Sequence, residues 1–231
     1  MVKKKKVKTK TEITSEIVKE YGINAGATVV GIANSSDFSQ APKGFKPNDA
    51  LDGCKSVIVL GNPFPIESFE NSIEYTKVRN AMAKKMTSIA KELAKQIKND
   101  GYKTKAISSI GGKYLNGEHF GIISLKHAAE LAGLGQITRN YLLTNMEYGN
   151  RLWFSAVLCD ADLIVDEKIE LDICNDCDKC LESCPSGALA NSTLEKKECS
   201  KYYKMVNRKL EIQCFKCRAV CPYGFGENTE N

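Results

Sequence analysis

The sequence predicts an α+β fold, in which a sandwich of strands and helices is followed by a small cysteine-rich module. Two observations predict it. Short β-branched runs alternate with helical patterns up to about Asp166, and eight of the ten cysteines lie in the last quarter of the chain. We therefore expect three parts: a disordered lysine-rich tail (1–12), an α/β sandwich domain (13–166) and a cysteine-rich domain (167–231).

The first helix and the first two strands of the sandwich follow from local patterns. Apolar residues at helical spacing over 13–21 predict a helix that stops at Gly22. The runs 28–33 (TVVGIA) and 56–60 (SVIVL) are rich in β-branched residues, as buried strands usually are. Gly61 and Pro63 mark the expected end of the second strand after Leu60.

The later elements of the sandwich are predicted in the same way. Apolar residues recur every three or four positions over 75–97, which predicts one long amphipathic helix. Residues 102–110 are expected to form a strand, and the small residues of 125–131 a helix. The run 151–159 (RLWFSAVLC) predicts a strong strand, joined by a tight turn to a preceding strand that ends near Thr144.

Composition excludes several classes of protein. The chain has 231 residues, of which 42% are hydrophobic and 26% charged, and no run approaches the roughly 18 apolar residues that a membrane helix needs. Six lysines in the first ten residues exceed the whole net charge of +5, so the rest is nearly neutral. A broad nucleic-acid-binding surface is therefore not expected. Without a secretory signal pattern, we expect a cytoplasmic protein.

The cysteine-rich module carries the most specific motif of the chain. The segment CNDCDKCLESCP (174–185) has the spacing C-x2-C-x2-C-x3-C-P of bacterial ferredoxins with [4Fe-4S] clusters. The segment CFKCRAVCP (214–222) lacks one ligand of a complete copy, which Cys199 can supply. Structural zinc is the alternative, but zinc sites take their ligands in two separated pairs and would leave thiolates of this triplet unused. We therefore expect eight cysteines to hold two clusters.

The spacing also predicts which thiols share a cluster, because in two-cluster ferredoxins the cysteine before proline ligates the other cluster. We call the two predicted ligand sets the first and the second thiol group. The first thiol group is Cys174, Cys177, Cys180 and Cys221. The second thiol group is Cys184, Cys199, Cys214 and Cys217. Cys54 and Cys159, beside apolar strands, are expected to be ordinary buried thiols.

A family resemblance covers nearly all of residues 13–225. The segment 126–163 (KHAAELAGLGQITRNYLLTNMEYGNRLWFSAVLCDADL), with the cysteine motif about ten residues later, resembles the epoxyqueuosine reductase and reductive dehalogenase superfamily. It is most similar to the short epoxyqueuosine reductase-like double-cluster proteins. The segments GATVVGIANSSDF and CKSVIVLGNPFP are similar to the opening strands of that family.

This resemblance implies a nitroreductase-like α/β sandwich followed by a bacterial-ferredoxin-like domain with two [4Fe-4S] clusters. It implies an iron-sulfur oxidoreductase whose clusters relay single electrons to a corrinoid such as cobalamin, with FMN as the alternative cofactor, for reduction of an unknown substrate. The implied partners are a low-potential electron donor of ferredoxin or flavodoxin type and a small-molecule or protein-bound substrate. The alternative function is a non-catalytic electron-transfer or corrinoid-reactivating partner protein.

The glycine-rich turn within the resembling segment is the candidate cofactor site. Gly133 and Gly135, followed by Arg139 and Asn140, combine backbone amides with a guanidinium, which suits a phosphate or a side-chain amide of a corrin ring. The alternative is an ordinary helix C-cap and turn. The sequence identifies no catalytic residue.

Three departures from the family pattern concern the substrate and the cofactor. The tRNA-modifying relatives carry an Asp in a V-D-[ST]-A-P stretch, and residues 107–129 offer no such acid, which argues against tRNA as the substrate. Gln136-Ile137-Thr138 replaces the more usual Trp-Ile-Gly of the short relatives, so contacts to a cofactor would differ. Neither His119 nor His127 stands in a D-x-H-x-x-G motif, so a corrinoid would bind without it.

Overall fold

The computed structural model describes residues 10–115, 118–190, 193–206 and 209–227. Most of the predicted disordered tail, residues 1–9, lies outside this part of the chain. At its end, the Thr11 amide donates to the carbonyl of Asp100 at 2.9 Å, and the Lys10 ammonium lies 4.4 Å from the ring centroid of Tyr102. The chain therefore contacts the body of the protein from Lys10 onward.

Helices and strands alternate over the first half of the chain, as the sequence predicts, whereas several strands follow one another directly in the second half. The strands are β1 (Val29–Asn34), β2 (Ser56–Pro63), β3 (Thr104–Ile107), β4 (Lys113–Leu115), β5 (Glu118–Phe120), β6 (Gln136–Ile137), β7 (Leu143–Thr144), β8 (Leu152–Cys159), β9 (Tyr203–Val206) and β10 (Lys209–Ile212). The helices are α1 (Ser15–Asn24), α2 (Pro47–Ala50), α3 (Ser72–Asn99), α4 (Leu125–Leu131), α5 (Lys179–Glu182), α6 (Lys196–Ser200) and α7 (Lys216–Ala219). Two 3-10 helices cover Ser35–Phe38 and Ile66–Phe69. None of the helices in the described ranges has the length and apolar content that a membrane span needs.

A four-stranded antiparallel sheet in the order β1-β2-β8-β3 forms the centre of the sandwich. Successive residues of β2 point to opposite faces, and both faces are buried. Ile58 packs in a core with α1 and α3, whereas Val59 packs in a second core with α4. The layer order of helices, sheet and helix explains why β2 and β8 have almost continuous apolar sequences.

The long helix α3 confirms the predicted periodicity and begins three residues earlier than expected. It begins after Asn71, whose side chain accepts a hydrogen bond from the Glu74 amide at 2.9 Å and caps the helix. Met86, Leu93 and Ile97 are fully buried against the sheet. Shortening one such side chain to Ala typically costs about 2 to 5 kcal/mol of stability.

Three local predictions were wrong. Gly22 lies within α1, which runs to Asn24, because a Cβ there would approach the Val30 side chain to 2.8 Å and only Gly lets the helix pack this closely. Strand β2 continues beyond Leu60 to Pro63 because β1 pairs with it as far as Gly61 and β8 as far as Pro63. The expected hairpin between β7 and β8 does not form: β7 pairs with β6, and β8 pairs with β2 and β3.

The cysteine-rich module contains short helices and the strand pair β9-β10, and hydrogen bonds from backbone amides join it to the sandwich. The Ile212 amide donates to the Thr76 hydroxyl of α3 at 2.9 Å, and the Asn150 amide donates to the Gly224 carbonyl at 2.9 Å. Both bonds join residues that are more than seventy positions apart in the sequence. The module therefore packs directly on the sandwich.

Candidate functional site

The four cysteines of the first thiol group line one cavity. Cys174 and Cys177 come from the loop leading into α5, Cys180 from α5 itself, and Cys221 from the turn after α7. Burial, followed by the charges of Cys221, Cys174 and Cys177, raises the pKa of the Cys180 thiol. The other lining residues include no histidine or carboxylate. The first cysteine segment thus meets the second one at a site whose metal-binding groups are thiols alone.

The cysteines of the second thiol group are also electrostatic neighbours. Burial, then the charges of Cys214 and Cys184, raise the pKa of Cys199. The pKa of Cys217 is raised to about 11, mainly by burial; Arg218 opposes this shift, and Cys199 and Cys214 add to it. This group too therefore combines thiols from both cysteine segments.

The donor chemistry of both thiol groups fits iron-sulfur clusters. Each thiol group supplies the four sulfur ligands that a [4Fe-4S] cluster takes. Among the residues that the structure describes, no three His, Cys, Asp or Glu side chains are placed to hold one metal ion. In a cluster each thiolate binds a different iron, so the four sulfur atoms stand farther apart than the ligands of one zinc ion do.

Arg139 and Asn140, two of the predicted cofactor-binding residues, contact the cysteine loops. The Arg139 guanidinium pairs with the Asp178 carboxylate and donates to the carbonyl of Cys177 at 3.4 Å. The Asn140 side chain donates to the carbonyl of Cys217 at 3.1 Å. Arg139 therefore contacts the loop of Cys177 in the first thiol group, and Asn140 contacts the helix of Cys217 in the second. The polar groups of both side chains are engaged within the protein.

Gly133 and Gly135, the other two predicted residues, allow close packing of the backbone. Both have positive φ angles, +68° and +143°. A Cβ at Gly133 would lie 2.3 Å from the Glu167 carbonyl oxygen, and one at Gly135 would lie 2.2 Å from that of Thr144. The Gly133 amide also donates to the Glu130 carbonyl at the end of α4, as in a helix C-cap. The turn has the geometry of the C-cap alternative.

Lys126 stands beside the second thiol group, and sequence reasoning did not identify it. Its ammonium, on the first turn of α4, donates to the Tyr141 carbonyl. Its pKa is lowered to about 8, first by burial and then by the charges of Arg218 and Lys196, whereas Cys217 and Cys199 act in the opposite direction. A single lysine in a small-residue helix has no spacing pattern that could have revealed this position.

Arg218 is the second missed cation, although its place directly after Cys217 is visible in the sequence. Only 8% of the residue is exposed. Its guanidinium donates to the Asn150 carbonyl and lies 5.7 Å from the ring centroid of Phe64. These contacts hold a buried positive charge on helix α7.

An open depression adjoins the Arg139 side of the glycine-rich turn. It is lined by residues from α4 and from the loop after β6, including His127, Glu130 and Tyr141. The His127 ring nitrogen Nδ1 lies 2.6 Å from the Ser124 hydroxyl, and burial lowers the pKa of the ring. The depression offers polar side chains to solvent beside Arg139, which contacts the first cysteine segment.

The charge of the cysteine-rich module is strongly divided along the chain. Nine acidic residues and two lysines lie between positions 160 and 182, around the first cysteine segment. Eight lysines and arginines and two glutamates lie between positions 196 and 218, around the second segment. The net charge predicted for the chain beyond its tail is nearly zero because an acidic region and a basic region offset each other.

Comparisons with known proteins show similarity to one group of enzymes. No protein-family model matches the chain. It is 25% identical over 224 residues to the epoxyqueuosine reductase of Gloeobacter violaceus, which covers 86% of this chain and 65% of that protein. It is 30% identical over 120 residues to the epoxyqueuosine reductase of Bacillus subtilis, covering 47% of this chain and 31% of that protein. The chain thus spans about one third to two thirds of the length of these relatives.

Solved structures share the fold. An epoxyqueuosine reductase with an epoxyqueuosine-modified tRNA stem loop superposes with a TM-score of 0.63 at 19% identity, over 90% of this chain and 64% of that one. A reductive dehalogenase, described as B12-dependent, superposes with a TM-score of 0.70 at 22% identity, over 93% of this chain and 32% of that one. Sequence and fold together confirm the predicted resemblance to the superfamily of epoxyqueuosine reductases and reductive dehalogenases.

Proposed function

We propose that the chain is an iron-sulfur oxidoreductase of the epoxyqueuosine reductase type, in which two [4Fe-4S] clusters relay single electrons to a bound acceptor. The observation that carries this proposal is the presence of two neighbouring groups of four thiols, each built from both cysteine segments. In the same proposal, residues 13–166 form a nitroreductase-like sandwich and residues 167–231 a bacterial-ferredoxin-like domain.

The residues of this chain bind and position the clusters. The first thiol group would hold one cluster and the second thiol group the other, and the bound clusters supply one-electron redox chemistry. Thiols must lose their protons to bind metal, so loading the site releases protons. Arg218 favours the thiolate form of Cys217 and thus opposes the effect of burial. Arg139 and Asn140 hold the backbone of the two ligand loops.

The bound acceptor of the electrons would be a cofactor of the sandwich domain. The B12-dependent relative supports a corrinoid such as cobalamin, with FMN as the alternative. The glycine-rich turn does not fit as its direct contact, because Arg139 and Asn140 are engaged with the cysteine loops and the two glycines pack against backbone. This observation favours the second candidate function, an electron-transfer or corrinoid-reactivating partner protein. If an acceptor binds, the depression beside Arg139 is the surface that presents polar side chains to it.

The substrate and the partners follow from the same reasoning. One structural relative holds an epoxyqueuosine-modified tRNA stem loop, but residues 107–129 of this chain lack the acid expected for that chemistry. We therefore propose a substrate other than tRNA, either a small molecule or a group bound to a protein. The electron donor would be a low-potential carrier of ferredoxin or flavodoxin type. We propose that the protein acts in the cytoplasm.

Anaerobic purification followed by mass spectrometry of the bound cofactors tests both functions. The oxidoreductase function predicts iron, sulfide and a retained corrinoid or flavin in the native protein. A protein that contains iron and sulfide but no corrinoid or flavin, and that binds neither cofactor when it is added, would support the electron-carrier function. Cys54→Ser is the matched control for substitution of a cluster ligand such as Cys177→Ser, because Cys54 is buried outside both thiol groups. A colourless, zinc-containing protein would contradict both.

A further inference from the structure

We propose that the two clusters have different reduction potentials, and that the cluster of the second thiol group is the easier to reduce because Lys126 and Arg218 face it. The inference rests on the proposed function, since it requires both clusters. It assigns to two side chains outside the ligand set the role of directing the electron within the protein. Neither side chain would bind iron.

Lys126 is joined through the loop of Asn140 and Tyr141 to helix α7, which carries Cys217. Its ammonium donates to the Tyr141 carbonyl, and the preceding residue, Asn140, donates to the Cys217 carbonyl. The charges of Cys217 and Cys199 act on Lys126 directly. Two members of the second thiol group are therefore neighbours of this ammonium.

Arg218 places a second cation on the same side. It follows Cys217 in helix α7, and its charge acts on the Cys217 thiol. Contacts with the Asn150 carbonyl and the Phe64 ring fix the buried guanidinium. Because it is buried and always charged, water and salt screen it little.

The first thiol group has the opposite surroundings. Asp172, Asp176 and Asp178 lie within the segment that supplies three of its ligands, and Asp172 and Asp176 have no cationic partner among the ion pairs of the described chain. Asp178 is paired with Arg139, so its charge is partly neutralised. Lys179 also lines the cavity of this group, so three carboxylates face two cations, Arg139 and Lys179, and the local excess of charge is one negative charge.

A charged side chain near a cluster changes the reduction potential of that cluster in a known direction. Reduction adds one electron to a cluster, so a nearby cation stabilises the reduced form and a nearby anion destabilises it. The second cluster should therefore accept the electron first, and an electron that arrives at the first cluster should pass to the second. The division of charge along the module gives the relay a direction.

Potentiometric titration of the reconstituted protein, followed by electron paramagnetic resonance of the reduced clusters, tests the inference. Cys199→Ser identifies the signal of the second cluster. In Lys126→Met we expect the ratio of reduced to oxidised second cluster at a fixed potential to fall about tenfold, a shift of about 59 mV for one electron, with the first cluster unchanged. Lys126→Arg should retain the wild-type potential. Lys98→Met, which removes an exposed lysine at the end of α3, is the matched control.

A reverse substitution tests the acidic side. Asp176→Asn keeps a residue that tolerates the positive φ angle of this position, +54°, and should make the first cluster alone easier to reduce. Equal potentials in the wild type, or a Lys126→Met variant that shifts both clusters equally or neither, would overturn the inference while leaving the proposed function intact. A wild-type protein that assembles fewer than two clusters would overturn the proposed function, and this inference with it.

Discussion

The side-chain amide of Asn140 donates a hydrogen bond to the backbone carbonyl of Cys217 at 3.1 Å. The oxygen of the same side chain accepts from the Thr138 hydroxyl and from the Leu142 amide, each at 3.0 Å. Asn140 is only 4% exposed. One buried amide therefore shapes the loop after β6 and joins it to the helix that carries a predicted cluster ligand.

Replacing Asn140 with Ala should weaken this junction. The substitution removes three hydrogen bonds and leaves the Cys217 carbonyl without this donor, which we expect to lower the free energy of unfolding by about 2 kcal/mol. Denaturant unfolding measures the loss, and the spectrum of the second cluster should change more than that of the first. The exposed Asn80→Ala on α3 is the control. Wild-type stability of Asn140→Ala would show that the junction is not held by this side chain.

Metal analysis tests the two thiol groups as a whole. Eight thiolates in two sets of four predict about eight iron and eight acid-labile sulfide atoms per chain after anaerobic reconstitution, with little zinc. Iron, sulfide and zinc can be determined on the same sample. Four iron atoms per chain would mean that only one of the two thiol groups assembles a cluster. Zinc instead of iron would mean that the module is a structural zinc site.

Single ligand substitutions test how the cysteines are shared. If the cysteine before each proline ligates the other cluster, Cys184→Ser should perturb the cluster of Cys199, Cys214 and Cys217, although it lies in the first cysteine segment. Cys221→Ser should perturb the cluster of the first segment. Electron paramagnetic resonance of each variant distinguishes the clusters. A change confined to the cluster of the substituted residue's own segment would refute the two thiol groups.

Much of the fold follows from local sequence patterns, whereas its strand pairing does not. The periodicity of α3 predicts a long helix because one face of the helix must be buried. The apolar run of β8 predicts a strand in the same way, but its partners β2 and β3 lie about 100 and 50 residues earlier in the chain. A turn signal at Tyr148-Gly149-Asn150 suggests a local hairpin, yet Gly149 is needed for close approach to the Gly224 carbonyl.

The candidate site likewise has features that follow from a local sequence pattern and features that depend on tertiary packing. The grouping of the cysteines into two thiol groups remains a prediction, and it rests on ligand spacing within short segments, which is a local property of the sequence. The positions of Lys126 and Arg139 beside the cysteine loops depend on how the module packs on the sandwich, and no spacing in the sequence encodes that packing. The sequence therefore predicts that Arg139 and Asn140 bind an external ligand, whereas in the structure their side chains contact the cysteine segments.

Cys54 and Cys159 should be unreactive in the native protein. Burial is the main cause that raises the pKa of each thiol to about 11, so at pH 8 only about one molecule in a thousand carries either thiolate. Alkylation of the cluster-loaded protein at pH 8 should leave both residues unmodified, and alkylation after denaturation should modify them. Peptide mass spectrometry measures both states. Rapid native labelling of Cys54 or Cys159 would show that these thiols are accessible and that their burial does not suppress ionisation.

The remaining prediction concerns tRNA, because one structural relative holds a modified tRNA stem loop whereas this chain lacks the expected acid. Five lysines lie in residues 1–9, and further basic residues lie between 196 and 218. Contacts of lysine with phosphate release counterions, so binding through them weakens steeply with salt. We therefore expect tRNA binding to be weak at physiological salt, and deletion of residues 1–9 to reduce both its affinity and its salt dependence.

Binding alone does not decide the substrate, so the decisive measurement is turnover. The reconstituted protein, supplied with a corrinoid and a low-potential reductant, should not convert epoxyqueuosine to queuosine in tRNA, because residues 107–129 supply no acid in the family's position. An epoxyqueuosine reductase such as that of Bacillus subtilis, assayed in parallel, serves as the positive control. Turnover comparable with that control would mean that another group of this chain supplies the proton, and the depression that contains His127, Glu130 and Tyr141 would be the first place to look for it.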